Sequence, residues 1–274
     1  MAAGLAGLAC ATGLPGSQRG GALAGEPRKW PVELSIGQFQ VHSDVADFDK
    51  HLIESELLSV AADVTNVLKL QPSKEKVYVV LFGTQKAYRQ YMQAYFPTLP
   101  ARRALFIQDR GPGMLFAHWS DDVQADLRHE VVHGLVNASG TALPLWLDEG
   151  IAEYFEAQPG SRFDGNTHLS EVVDRAVRGV VPKLDELDRI TDLHDFTGAH
   201  YRDSWSWVHF MLHRNRIARR LIIRFLSDHR GGAKTAPLSQ QLTRTIPKLS
   251  DEYCDHFSHF NSIASGSRAD QSAG

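Results

Sequence analysis

An α+β fold is what this sequence predicts. Segments with strand character are confined to the stretch before Ser120, helical periodicity takes over after it, and 43% of the 274 residues are hydrophobic, enough to bury a sizeable core. "VELSIGQFQVHS", Val32 to Ser43, alternates apolar and polar residues as a half-buried strand or hairpin does. Val45, Phe48, Leu52, Leu57, Val60, Ala61, Val64 and Leu68 then recur at helical spacing, which predicts a long helix. "KVYVVLFG" is β-branched and aromatic and stops at Gly83, and Thr84 can cap the helix "TQKAYRQYMQAYF" that must end before Pro97. "RALFIQD" and "MLFAHW" flank "RGPG" and read as two further strands about a Gly-Pro turn. Beyond Ser120 come four helical segments, "SDDVQADLRHEVVHGLVNA", "PLWLDEGIAEYFEA", "YRDSWSWVHFMLHR" and "IARRLIIRFLSDHR", with Ser120 and Asp121 as caps for the first.

Residues 1–29 read as a leader and 261–274 as a disordered tail, since both are poor in side chains that pack. Between them one domain is expected over 30–260, with an α/β part at 30–120 and a helical part at 121–260. The leader is rich in Ala, Gly and Leu like the apolar part of an export signal, although it lacks the basic residues that precede such a part, and Cys10 after "LAGLA" gives a faint lipoprotein signal. An exported location, periplasmic, cell-surface or secreted, is therefore expected.

Several function classes are disfavoured by composition. The net charge of -3, without a block of like charges, provides no footprint for nucleic acid or an anionic membrane. Cys10 and Cys254 sit near opposite ends in unlike settings, so they form neither a disulfide framework nor a CxxC metal site. The most aliphatic internal segment, "RRLIIRFL", is broken by Arg224, and no transmembrane span is predicted.

One motif carries chemistry. In "LRHEVVHGL", Leu127 to Leu135, His129 and His133 stand four apart, so on a helix they project side by side from one face, as two imidazoles on one zinc ion do. Glu130 is turned about 100° from His129 and suits a base acting on a metal-activated water. With 13 histidines in the chain, an H-E-x-x-H string alone is weak, because chance places such strings on solvated helix faces. A hydrolytic zinc site needs a third protein ligand and an open fourth position. Glu149 supplies a candidate: it lies on the helix that Pro144 can begin, and Gly140 and Pro144 can turn the chain between the two helices. Glu153, one turn past Glu149, can accept from the free ring N–H of a ligand histidine as an outer partner, with Asp148 as the rival for that task.

Together "HEVVH" and "LWLDEGIAEYF" resemble the gluzincin zinc metallopeptidases, in which a second helix with W-L-x-E-G-x-A supplies the third zinc ligand. The likeness is greatest to the peptidase-MA-like domains of poorly characterised bacterial proteins and covers residues 103–213 best. The resemblance implies a thermolysin-like zincin fold, a mixed sheet with helices followed by a helical subdomain, with Zn2+ held by His129, His133 and Glu149. It also implies that Tyr201, in "YRDSWSWVHFML", stabilises the oxyanion, with His200 as its competitor; Trp205 and Trp207 on the same helix read as core anchors. Where the aminopeptidases of this group carry a G-x-M-E-N string, this chain has "GPGMLFAHW" without a carboxylate to hold a substrate amine. An endopeptidase is thus expected over an aminopeptidase, with Glu130 as base, a peptide or protein as substrate, and Met114 to Trp119 as the edge strand that pairs with it. The alternatives are a non-catalytic peptide-binding or scaffold protein on the same fold and a zinc hydrolase of other substrates.

Overall fold

A computed structural model describes residues 30–71, 73–108, 111–230 and 235–271, with 261–271 as backbone only. The expected leader, 1–29, lies outside the described residues, and the side chains of the expected tail do as well. The chain divides into two compact units, Met1–Gly140 and Thr141–Gly274.

The first unit is built on five strands. β1 (Val32–Ile36) and β2 (Phe39–Ser43) form the hairpin that the alternation predicts, and α1 (Lys50–Leu68) follows, capped by Asp49, whose carboxylate accepts from the Leu52 N–H. Val45 and Phe48 precede that helix rather than join it. β3 (Val77–Phe82) leads into α2 (Gln85–Tyr95), where the Thr84 hydroxyl accepts from the Ala87 N–H at 3.1 Å. β4 (Ala104–Ile107), β5 (Gly113–His118) and α3 (Val123–Ala138) complete the unit. The strand order is β1-β2-β3-β5-β4, with β2, β3 and β5 parallel and antiparallel pairs at both margins.

This order corrects one expectation. The "MLFAHW" strand is not an edge: β5 is bonded to β3 on one side and to β4 on the other, and β4 is the edge strand. Local pattern fixes which residues alternate, whereas strand order depends on how the crossovers close, which the pattern does not encode.

Side-chain alternation divides the sheet into two faces. Val80, Phe82, Met114 and Phe116 cluster with Tyr88 and Tyr91 of α2 on one. On the other, Val77 faces α3 so closely that a Cβ built on Gly134 would lie 2.8 Å from its Cγ1. α3 also packs on α1, where the buried Arg128 guanidinium meets Glu56 at 2.8 Å. The cap of α3 is Asp122 rather than Ser120 or Asp121, and it makes no side-chain cap bond; its carboxylate is engaged by Arg103, a charge-assisted partner stronger than a backbone amide.

The second unit is helical. It contains α4 (Leu145–Glu156), α5 (Leu169–Val177), the short α6 (Leu184–Leu187), α7 (Gly198–His213), α8 (Arg216–His229), α9 (Leu238–Thr245) and α10 (Leu249–Gln271). α7 is central, in contact with α4, α5 and α8. Trp205 and Trp207 are buried core residues on it, as expected, and Trp207 donates its indole N–H to the Pro182 carbonyl at 3.1 Å. Trp146 of α4 is likewise buried and donates to Asp188 at 2.7 Å, which fulfils the rule that an indole N–H taken out of water finds a partner. The molecule is thus α+β with a mixed five-stranded sheet, and among the described residues no helix is long and apolar enough to cross a membrane.

Candidate metal centre

α3 is buried on nearly every side, which is unusual for a helix carrying so many polar residues and is explained by the partners those residues find. Glu130 is 7% exposed, and its Oε2 accepts the backbone N–H of Phe106 at 2.6 Å. Phe106 belongs to β4, so the edge strand supplies the donor that makes burial of this carboxylate tolerable. His129 and His133 face the same way from α3, their rings edge to face with centroids 5.1 Å apart, and His133 is buried while His129 is half-buried. Gly134 follows His133, and its lack of a side chain lets that turn of the helix settle against Val77 and Phe106.

Below Glu130, Tyr88 stacks on His118 with centroids 5.5 Å apart. Burial, then the charges of Glu130 and Asp126, push its phenol well above the ordinary tyrosine range, so Tyr88 stays neutral.

On α4, Glu149 is 5% exposed. Gly150 follows it, and a Cβ there would stand 2.6 Å from the carbonyl oxygen of Ser204 on α7, closer than atoms can approach. The glycine therefore sets how near α4 and α7 come, and so where Glu149 lies relative to Tyr201, three residues before Ser204. Tyr201 is half-buried, with its ring edge-on to Phe196 at 4.8 Å. It sits inside α7 rather than opening it, because the helix begins at Gly198 and is capped at Thr197, whose N–H donates to Nδ1 of His200 at 3.0 Å. His200, the competitor for the role of Tyr201, is thereby employed as a capping side chain.

The chain has His and Glu groupings that can hold a metal ion. His129 and His133 stand together on α3 of the first unit, and Glu149 is on α4 of the second. Glu153 and Glu156 lie on the same helix as Glu149. Glu156 escaped sequence reasoning although its signal was present: Glu149, Glu153 and Glu156 follow the i, i+4, i+7 pattern of a single helix face. His168 escaped it too, for lack of any spacing that points to it; its Nε2 lies 3.4 Å from the Glu153 carboxylate, and Asn166 donates to the Glu153 carbonyl at 3.3 Å.

Residues 123–231 match a protein family described as Protein of unknown function (DUF1570). No curated protein matches the chain. The matched stretch runs from the start of α3 to the end of α8 and so includes His129, Glu130, His133, Glu149 and Tyr201.

Proposed function

We propose that the protein is a zinc-dependent peptidase that cleaves within peptide chains, an exported hydrolase of the gluzincin, peptidase-MA-like kind with a thermolysin-like fold. The observation that carries this reading is the pair His129 and His133, turned to one face of α3 with ring centroids 5.1 Å apart, beside the buried carboxylate of Glu130 on the same helix; Glu149 of α4 is the proposed third ligand. The donor set fits the ion: two imidazoles and one carboxylate suit zinc with a position left open, whereas magnesium and calcium favour all-oxygen shells. When bound, zinc supplies Lewis acidity, polarising a carbonyl and acidifying water.

The rest falls to the chain's own groups. Glu130, held through Oε2 by the Phe106 amide, takes a proton on Oε1 as water attacks the scissile carbonyl and passes it to the departing nitrogen. The Tyr201 phenol donates to the oxygen on which negative charge develops. Glu153 serves as the outer partner of a ligand histidine; its contact with His168 leaves one carboxylate oxygen for that task. An extended peptide pairs with β4. In an antiparallel edge strand alternate residues turn their N–H and C=O outward; the Phe106 N–H, turned outward, is taken by Glu130, so the peptide pairs through the Phe106 carbonyl and through Ala104, which shares its orientation. The absence of a carboxylate in "GPGMLFAHW" favours cleavage inside a chain over removal of its first residue.

Metal analysis of the purified chain, joined to profiling against a mixed peptide library with and without a chelator, tests the reading. One zinc per chain and chelator-sensitive internal cleavage are expected. A chain that takes up no zinc on addition, or cleavage that persists undiminished after the metal is stripped, overturns it.

A further inference from the structure

Tyr201 lies near the start of α7, where a helix is least held by its own bonds because its first four N–H groups lack partners within it. A phenol meant to meet a developing charge has to be held to within a fraction of an ångström. The two residues that follow Tyr201 are charged and shielded from solvent, and they bind each other and α5. Arg202, 9% exposed, donates through Nε to Oδ1 of Asp203 at 2.9 Å and through Nη1 to Glu171 at 2.5 Å. Arg175 donates to the same Asp203 oxygen at 3.2 Å. Glu171 and Arg175 stand one turn apart on α5, so two cations and two anions alternate across the α5–α7 contact with no net charge.

Such a group is a poor way to gain stability: Glu171 is largely exposed, so solvent screens its pair with Arg202, while Arg202 and Asp203 lose in desolvation much of what they gain in attraction, and apolar residues of similar size would hold two helices as firmly. What directional, charge-assisted bonds add is a single rotational setting of the turn that bears them. The segment from 201 to 203 is the only place where all four charges converge among the described residues.

We propose, resting on the reading above for the chemical role of Tyr201, that Arg202 and Asp203 are positioning residues: clamped to Glu171 and Arg175 of α5, they fix the turn of α7 from which the phenol projects. The clamp is measurable without turnover. In the full-length chain, Arg202→Met keeps the aliphatic stem and deletes the charge, and Asp203→Asn keeps the shape and weakens the acceptor. For either variant, amide hydrogen exchange should accelerate at least about tenfold over residues 198–204 while residues 206–212 keep their protection. Unchanged exchange over 198–204, or equal acceleration along all of α7, overturns the clamp; if Arg202→Met does not fold, Asp203→Asn is judged by the same criterion.

With zinc-loaded protein, kcat of Arg202→Met should fall about ten- to a hundredfold with KM nearly unchanged. Placed on a Tyr201→Phe background the same substitution should cost nothing further, because it acts through the phenol. An equal loss on both backgrounds overturns positioning. A parent chain that takes up zinc yet hydrolyses no peptide defeats the peptidase reading instead, and the exchange result still decides the clamp.

Discussion

Acid should unlock the helical unit, through a histidine chain buried between α7 and α10. His209 Nε2 lies 2.9 Å from the Phe163 carbonyl, which can only accept, so that nitrogen carries the proton. Nδ1 then accepts from Nε2 of His256 at 2.9 Å. His209 is consequently neutral; both rings are enclosed by Trp205, Phe210, Phe257 and Phe260, and the charged or titratable groups facing them are His213, Arg214 and His259. Burial, reinforced by those neighbours, lowers His256 to about 3 and His209 well below its ordinary 6.5. His213, which meets the Tyr154 hydroxyl at 3.0 Å, is lowered to about 4, again chiefly by burial and then by Arg219, but it is more exposed and its share is screened by solvent. A folded pKa below the unfolded one means that the unfolded chain binds protons first. The stability is therefore present above pH 6.5 and is lost as pH falls from there toward the folded values of about 3 and 4. For His256 the loss reaches about 2 kcal/mol at pH 5, a large part of the 5–15 kcal/mol of a typical domain. His209 adds a loss of the same sign, not separately additive because the two share a bond. His256→Gln retains an N–H donor near Nε2 and removes the titration. Urea unfolding followed by tryptophan fluorescence at pH 7, 6 and 5 should show parent stability falling steeply and the variant falling less, by about 2 kcal/mol at pH 5. A parent equally stable at pH 7 and 5, or a variant with the parent's slope, refutes the reasoning.

Four further outcomes are expected. Glu130→Gln should keep zinc and lose hydrolysis by about a hundred- to ten-thousandfold, checked by metal content alongside peptide turnover. His133→Ala should lose the ion itself, so added zinc should raise the melting temperature of the parent and leave that of the variant unchanged. Gly150→Ala drives a methyl into the Ser204 carbonyl and should destabilise the chain by about 1–3 kcal/mol in denaturant titration, whereas the neighbouring Asp148→Ala should cost far less. Tyr201→Phe should lower kcat with little change in KM or in zinc content, and an unaltered kcat would remove the phenol from the mechanism.

The sequence by itself determined the elements: every strand read from alternation formed, Thr84 caps its helix, and the apolar stripes of α1, α4, α7 and α8 are buried faces. It also placed His129 and His133 on one face, because helical pitch alone dictates that i and i+4 side chains neighbour each other. What it left undetermined needs residues far apart in the chain. The edge position of β4 depends on the order in which the strands close, and the Phe106 amide under Glu130, His168 beside Glu153 and the α5 clamp on Arg202 join residues separated by 15 to 31 positions. Periodicity reports only what a residue's own element requires, while these contacts depend on how elements close on one another. Tertiary structure alone made that choice, and it chose a backbone donor for a buried carboxylate where the sequence offered no partner to read.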